Sequence, residues 1–344
     1  RIARIRLTSY RLPLRQPWRS ARGEFLHREG WLIKVETDCG RTGHGDCAPL
    51  PEVGTEESAA ARAFLEGLTA HLAGIEVPAA LERLDATPAT APAARCGVET
   101  ALVDILAQRT GEPLARWLAS PAVLTIPVNA VLGPLDDAVA QRIERAYAEG
   151  FRVLKLKVGL HPVQEELARL RNLTADLPPA ARLRLDANGA WNEAEASRFL
   201  AGLGGLPVES VEEPLAEPNP AALAWLQQAA PVPLALDESL ARLPVDVLLA
   251  HRPVRRLVLK PMVLGGLRPA RALAQRAHAA GLECVVTTTV DSAVGVRAAA
   301  HLAASLLGNN LAHGLATSSW LRRDLHPPPR IEAGTLILDD LPGL

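Results

Sequence analysis

Apolar and polar positions alternate through residues 1–14, RIARIRLTSYRLPL, and again through GWLIKVETDCGRTGHGDCAPL, which is the period of strands with one buried face. The second run folds back at Asp38-Cys39-Gly40, so residues 1–55 are expected to form a small antiparallel sheet. The period then changes. EESAAARAFLEGLTAHLAG, PAALERLD and ARCGVETALVDILAQRTGEPLARWL repeat their apolar positions every three to four residues, as helices do. Strands followed by helices predict an α+β domain over residues 1–118.

From about Thr125 short apolar runs alternate with helical segments. The strand candidates are TIPVNAVL, RVLKLKVG, RLRLDAN, VESVEEP, VPLALDES, RRLVLKP, ECVVTTTV and LAHGLA, separated by segments such as DDAVAQRIERAYAEG and RPARALAQRAHAAG. Eight strands with helices between them predict a closed barrel over residues 119–324. An open doubly wound sheet is the alternative, but no glycine-rich phosphate loop follows any strand. The tail, residues 325–344, is irregular and is expected to return to the first domain.

Five of these runs end in charge: Lys155 and Lys157, Asp186, Glu212, Asp237 and Lys260, spaced 29, 26, 25 and 23 residues apart from Lys157 onward. Each step is about one strand plus one helix, so the charges occupy the same end of a repeated unit. In VLKLK the lysines share one strand face, and in RLRLD so do Arg184 and Asp186, with leucines on the other. The leucines can pack outward against helices and leave the charges at the mouth, where active sites of this architecture sit.

Three converging carboxylates repel unless a cation lies between them, and oxygen ligands with open positions suit Mg²⁺, or Mn²⁺, better than zinc. Asp186, Glu212 and Asp237 are therefore the expected ligands, with Glu213 behind Glu212. A neighbouring ammonium and a nearby metal each favour neutral lysine, which would pull the flanking lysines from about 10.4 toward about 7–8, where they can act as bases. A base facing such a metal is equipped to remove the proton α to a carboxylate. Singly, each motif has a plainer explanation: Asp186-Ala187-Asn188 as a turn, Glu212-Glu213-Pro214 as a solvated loop, the lysines as solvent-facing or ion-paired. Their occurrence together, in phase on successive units, favours chemistry.

Composition narrows the rest. With 344 residues and 48% hydrophobic content the chain can build a large core. A net charge of −1 and a pI near 6.8 give no case for nucleic acid or an anionic membrane, and no apolar run is long enough to span one. The amino-terminal run lacks a signal peptide's apolar block. Cys39, Cys47, Cys96 and Cys284 have neither metal-site nor ladder spacing, which fits free thiols in a cytoplasmic protein. The expected partner is a small carboxylate.

These motifs resemble the enolase superfamily, in its muconate-lactonizing-enzyme subgroup: KLK (Lys155, Lys157), DAN (Asp186), VEEP (Glu212), LDES (Asp237) and LKP (Lys260), with GHGDCAPLPEVGTEES and CGVETALVDILAQ in the first domain. The resemblance implies a modified (β/α)₇β TIM barrel under an α+β capping domain, with loops near residues 15–28 and 48–56 closing over the substrate. VVTTTVDS carries no histidine, unlike the mandelate racemase branch, and the KxK pair is unlike enolase itself. Within the subgroup, RLRLDANGAW, LVLKPMVLGG and AHGLATSSWL are most similar to the o-succinylbenzoate synthase family. That likeness implies dehydration of a cyclohexadiene carboxylate (SHCHC). Lys157 would be base and then acid, Lys260 would stabilise the enediolate, and Lys155 would tune Lys157. Arg184, Gly265, Gly266, Thr288 and Thr289 (within Thr287–Thr289) would support or contact the substrate. Asp46 and Asp291 stand where relatives have glutamates, which weakens transfer of substrate contacts. The alternatives are an N-succinylamino acid racemase or dipeptide epimerase using Lys157 and Lys260 as two bases, and a silent barrel used as a scaffold. No member of the charged set is lost, as a silent barrel would require. After the last strand AHGLATSSW offers only His313 and hydroxyls for a substrate ammonium.

Overall fold

The structure is a computed structural model that describes residues 1–20, 23–306, 308 and 310–344; Ala21 and Arg22, within the expected closing loop, lie outside the described residues. The amino-terminal alternation becomes a long hairpin, β1 (Ile2–Ser20) against β2 (Gly23–Thr37), with β3 (Thr42–Cys47) on its other side. The hairpin register sets Tyr10 opposite Gly30 and Trp18 opposite Phe25, so its tip carries aromatic side chains. The expected turn lies at Asp38–Gly40, where Gly40 takes a left-handed conformation.

The sheet packs on α3 (Pro92–Thr110), which follows α1 (Ser58–Thr69) and α2 (Val77–Ala86). The glycines of the GHG motif have a steric cause. A Cβ on Gly45 would lie 1.8 Å from the Gly97 carbonyl, and one on Gly43 2.0 Å from that of Ala101, so only glycine lets β3 lie directly on the α3 backbone. Glu56 accepts hydrogen bonds from the Ala93 and Ala94 amides at 2.9 and 2.8 Å, satisfying orphan donors where α3 starts.

After α4 (Leu114–Leu118), the run expected as one strand, TIPVNAVL, divides. Its first part, β4 (Thr125–Pro127), joins the tail, whereas β5 (Ala130–Pro134) enters the barrel. The break falls at Asn129, whose buried side chain turns inward to accept from Arg184 at 3.1 Å. Six further parallel strands follow in spatial sequence: β6 (Val153–Lys157), β7 (Arg182–Asp186), β8 (Val208–Glu212), β9 (Leu234–Leu236), β10 (Arg256–Leu259) and β11 (Glu283–Val286). Helices α5 (Val139–Ala148), α6 (Val163–Ala175), α7 (Glu193–Ala201), α8 (Pro220–Ala229) and α9 (Val245–His251) cross between them, followed by the short α10 (Pro261–Leu264), then α11 (Leu267–Ala279) and α12 (Ala293–Ala304). The leucines of LKLK, LRLD and LAL are fully buried, each contributing roughly 1.5–3 kcal/mol by leaving water.

The expected eighth strand, LAHGLA, is not a strand. It closes the barrel by isolated bridges, Val128 with His313 and Thr287 with Gly314, supported by backbone bonds from Gly314 to Val286 and from Asn129 to His313. A Cβ on Gly314 would lie 2.3 Å from Thr287 Oγ1, so the segment must come in close at one point and cannot carry a regular ladder there. His313 is buried in that seam. Its Nδ1 accepts from the Val286 amide at 2.9 Å, and burial, with Arg184 nearby, pushes it down to about 3, a neutral acceptor. It is not at the mouth.

In the tail, β12 (Arg330–Glu332) and β13 (Thr335–Ile337) extend β4 into a three-stranded sheet. Residues 343–344 then return to α3, where Asp104 accepts from the Leu344 amide at 2.9 Å and from the His44 amide at 3.0 Å. Among the described residues no helix is long and apolar enough to cross a membrane.

Candidate active site

Strand register brings the spaced charges together. Lys157 lies beside Asp186 across β6 and β7, and Asp186 beside Glu212 across β7 and β8. Asp237 follows β9 directly and Lys260 follows β10. One carboxylate oxygen from each of Asp186, Glu212 and Asp237 lies within 4.8 Å of the others, and the three residues are 0%, 1% and 5% exposed. Asp237 Oδ1 is buried with no hydrogen-bond partner among the described residues. A converging set of hard oxygens with one unsatisfied fits a divalent cation.

The lysines stand on the same oxygens. Lys157 Nζ donates to Asp186 Oδ2 at 2.7 Å and Lys260 Nζ lies 2.7 Å from Asp237 Oδ2. Lys155 contacts Asp186 at 2.9 Å and also Glu212. Burial works to lower Lys155, but Asp186, Glu212 and Asp237 outweigh it and hold the ammonium well above its usual range. Burial is likewise outweighed at Lys260 by Asp237 and Glu238. Carboxylates in contact dominate desolvation at both positions; the lowering toward neutrality expected from the sequence belongs to the site with a cation between these acids. At Asp186 burial opposes ionisation, and Lys155 and Lys157 overcome it, keeping the group below the ordinary carboxylate range.

Glu212 and Glu213 separate cleanly. Glu213 turns away and clamps the chain after β9, accepting from the Asp237 and Ser239 amides at 2.6 and 2.9 Å and from Ser239 Oγ at 2.5 Å. It does so with a left-handed φ of 45°, and Asn188 adopts one of 47°. Two non-glycine residues in that region beside one centre indicate backbone strain held by the surrounding contacts. Asn188 accepts from Lys157 Nζ at 2.7 Å and donates to Glu238 at 3.1 Å, tying one lysine to the opposite side of the site. Its place two residues after Asp186 was the available signal for this role.

The cavity over these groups is lined on one side by Thr287, Thr288, Thr289, Val290 and Thr317, and is roofed from the capping domain by Trp18, Phe25, Leu50 and Val53. The Trp18 ring lies 5.5 Å from Lys157 Nζ and packs edge-on against Trp320. Both closing loops expected from the sequence therefore contribute to the roof. Thr288 and Thr289 reach the cavity as expected, whereas Arg184, Gly265 and Gly266 do not line it. Gly266 faces α3: a Cβ there would lie 2.2 Å from Glu99 Oε2, which caps the start of α11 through the Leu267 amide, while Glu99 Oε1 accepts from Arg268 at 2.9 Å. Gly265 packs near Arg95.

Arg184 lies inside the barrel beneath Glu212, 3.9 Å from its Oε1, and pairs with Glu209 at 3.0 Å. Glu209 also meets Arg256 at 2.8 Å, which makes a charged layer the sequence did not reveal. Arg184→Met would strand buried acceptors and is expected to destabilise the fold by about 3 kcal/mol. Urea unfolding would register this as a lower midpoint at constant slope, and an unchanged midpoint would reject a structural role.

Comparison with known proteins follows the same outline. Residues 138–344 match the family described as enolase C-terminal domain-like, and residues 2–118 match the mandelate racemase/muconate lactonizing enzyme N-terminal domain. The chain is 35% identical over 233 residues to the o-succinylbenzoate synthase of Thermosynechococcus vestitus, covering 67% of this chain and 66% of that one. It is 30% identical over 320 residues to the L-Ala-D/L-Glu epimerase of Bacillus subtilis, covering 89% and 85%. The solved N-succinyl Arg/Lys racemase from Bacillus cereus superposes with a TM-score of 0.91 at 26% identity, covering 99% of this chain and 94% of that one.

Proposed function

Since this chain belongs to the enolase superfamily, in its muconate-lactonizing-enzyme subgroup, we propose that it is an o-succinylbenzoate synthase dehydrating SHCHC to 2-succinylbenzoate. One observation carries the choice. Among the described residues, the wall at the end of β11 and beyond the barrel seam presents threonines and no carboxylate, while Trp18, Phe25 and Val131 supply apolar surface. That lining suits a flat ring with an anionic arm and gives a substrate ammonium no acid on that side; Glu24 and Glu52 reach the rim from capping loops.

Lys157 takes the proton α to the ring carboxylate and, as the ammonium, returns it to the hydroxyl leaving from the adjacent carbon on the same face. One C–H and one C–O bond break, a ring double bond forms, and water departs. Lys260, on the opposite side, presents fixed positive charge to the carboxylate as electrons move onto it. Lys155 holds Asp186 and Glu212 in place beside the base. Trp18 covers Lys157 and limits water at the reacting face. Asp186, Glu212 and Asp237 would hold Mg²⁺ or Mn²⁺, which when bound supplies Lewis-acid charge to the substrate carboxylate.

Thr289 Oγ1 gives its proton to Asp291 at 2.5 Å, so it has none for the succinyl arm. Thr288 and Thr317 hydroxyls are 2.8 Å apart; one proton lies between them and the other is left for a ligand. Thr317→Val is therefore expected to raise KM for SHCHC at least about tenfold, through loss of a hydrogen bond to a charged group worth roughly 1.5–3 kcal/mol. An unchanged KM would remove this pair from substrate recognition.

A two-base 1,1-proton transfer, as in N-succinylamino acid racemisation, is the second reading, favoured by Lys157 and Lys260 standing on opposite sides of the carboxylates. Loss of SHCHC absorbance, measured beside deuterium incorporation into N-succinylamino acids, separates them. No SHCHC turnover with rapid exchange would replace the dehydratase reading by the racemase one.

A further inference from the structure

Arg28 is charged, 3% exposed, and not in contact with the lysines or the metal-ligand carboxylates. It projects from β2 into the junction between the capping sheet and the barrel mouth. Its guanidinium donates to the Ala48 carbonyl at 2.5 Å, to the Pro49 carbonyl at 3.1 Å and to Thr289 Oγ1 at 3.4 Å, and it lies 5.8 Å from the centre of the Phe25 ring. Phe25 and Thr289 line the cavity, and Ala48-Pro49 lead into Leu50, which also lines it. One side chain thus touches the hairpin, the closing loop and the end of β11.

The far side of this junction is also tied. Asp291 accepts from the Thr289 amide and hydroxyl, at 3.0 and 2.5 Å. The next residue, Ser292, donates its amide and hydroxyl to Asp46 Oδ2 on β3 at 3.0 and 2.8 Å, while Tyr10 of β1 donates to Asp46 Oδ1 at 2.5 Å. A planar, multiply donating cation fits two carbonyls and a hydroxyl arranged around it; a lysine ammonium offers a single point. Burying that cation is offset in part by Asp291, whose carboxyl Arg28 draws down against the effect of burial.

We propose that Arg28 is a positioning residue for substrate recognition, holding the Phe25 hairpin, the Leu50 loop and the Thr289 turn at a fixed separation so that the substrate arm meets a preformed pocket. The inference rests on the cavity being the substrate site and assigns part of its fit to a side chain that does not touch substrate.

Arg28→Met and Arg28→Lys test it. Loss of uniform binding raises KM and spares kcat. For Arg28→Met we expect KM for SHCHC to rise about tenfold with kcat within about threefold, Arg28→Lys to recover part of the loss, and Mn²⁺ affinity to stay constant. Amide hydrogen exchange should accelerate at residues 48–53 and 287–290 in both variants relative to wild type. If Arg28→Met does not fold, Arg28→Lys is read in the same way. Unchanged exchange in those segments, or a fall in kcat at constant KM, would overturn the proposal. A wild-type enzyme inert on SHCHC would dismiss the dehydratase reading alone, because the exchange comparison decides the role of Arg28 without substrate.

Discussion

Lys157→Ala is expected to lower kcat for SHCHC by about 10²–10⁴-fold, the range for loss of a positioned general base. The variant should still fold, because Asp186 keeps Lys155 at 2.9 Å and no buried carboxylate is left without a cation. It also discriminates between mechanisms. In dehydration a single lysine removes and returns the proton, so in Lys157→Ala no second lysine takes over and turnover falls by that factor. In two-base racemisation, Lys157→Ala would stop deuterium exchange from one enantiomer and leave the other exchanging through Lys260. Full SHCHC turnover by Lys157→Ala, measured by absorbance, would eliminate Lys157 as the base.

Removal of divalent cation is expected to have a comparable effect. Exhaustive chelation should abolish turnover, with recovery on adding Mg²⁺ or Mn²⁺. Binding also reads out in stability: a ligand at a hundred times its Kd adds about 2.7 kcal/mol. For a chain of this size that is a rise in Tm of about 4 °C. Glu212→Gln keeps the shape of the side chain beside Lys155 and Arg184 but removes one ligand charge, so the cation-dependent rise should disappear. An equal rise in wild type and Glu212→Gln would show that the cation binds elsewhere.

What the sequence made legible was whatever depends on local period. Alternation along RLRLD fixes which residues face inward, and equal spacing fixes that they share a rim, so Asp186, Glu212, Asp237 and the lysines converge as expected. What stayed hidden depends on partners distant in the chain. Gly265 and Gly266 look like a substrate loop until Glu99 of α3 is seen reaching α11. Arg184 shares the face of Asp186 but sits one layer deeper, where Glu209 and Asn129 engage it. His313 reads as a mouth residue, yet the seam needs its ring as an acceptor for Val286.

The return of residues 343–344 to α3 has a consequence for the timing of synthesis. Asp104 receives the Leu344 amide from 240 residues further along the chain. At about 5–20 residues per second the ribosome takes roughly 12–48 s to cover that interval. The capping helices and hairpin therefore emerge and collapse early, but part of the polar closure of α3 arrives only after the whole barrel has been made. For that interval a buried carboxylate rests on His44 and Gln108 alone, at 3.0 and 2.9 Å. Ribosome-bound chains should accordingly show a protease-sensitive α3 that becomes protected once residues 330–344 clear the exit tunnel.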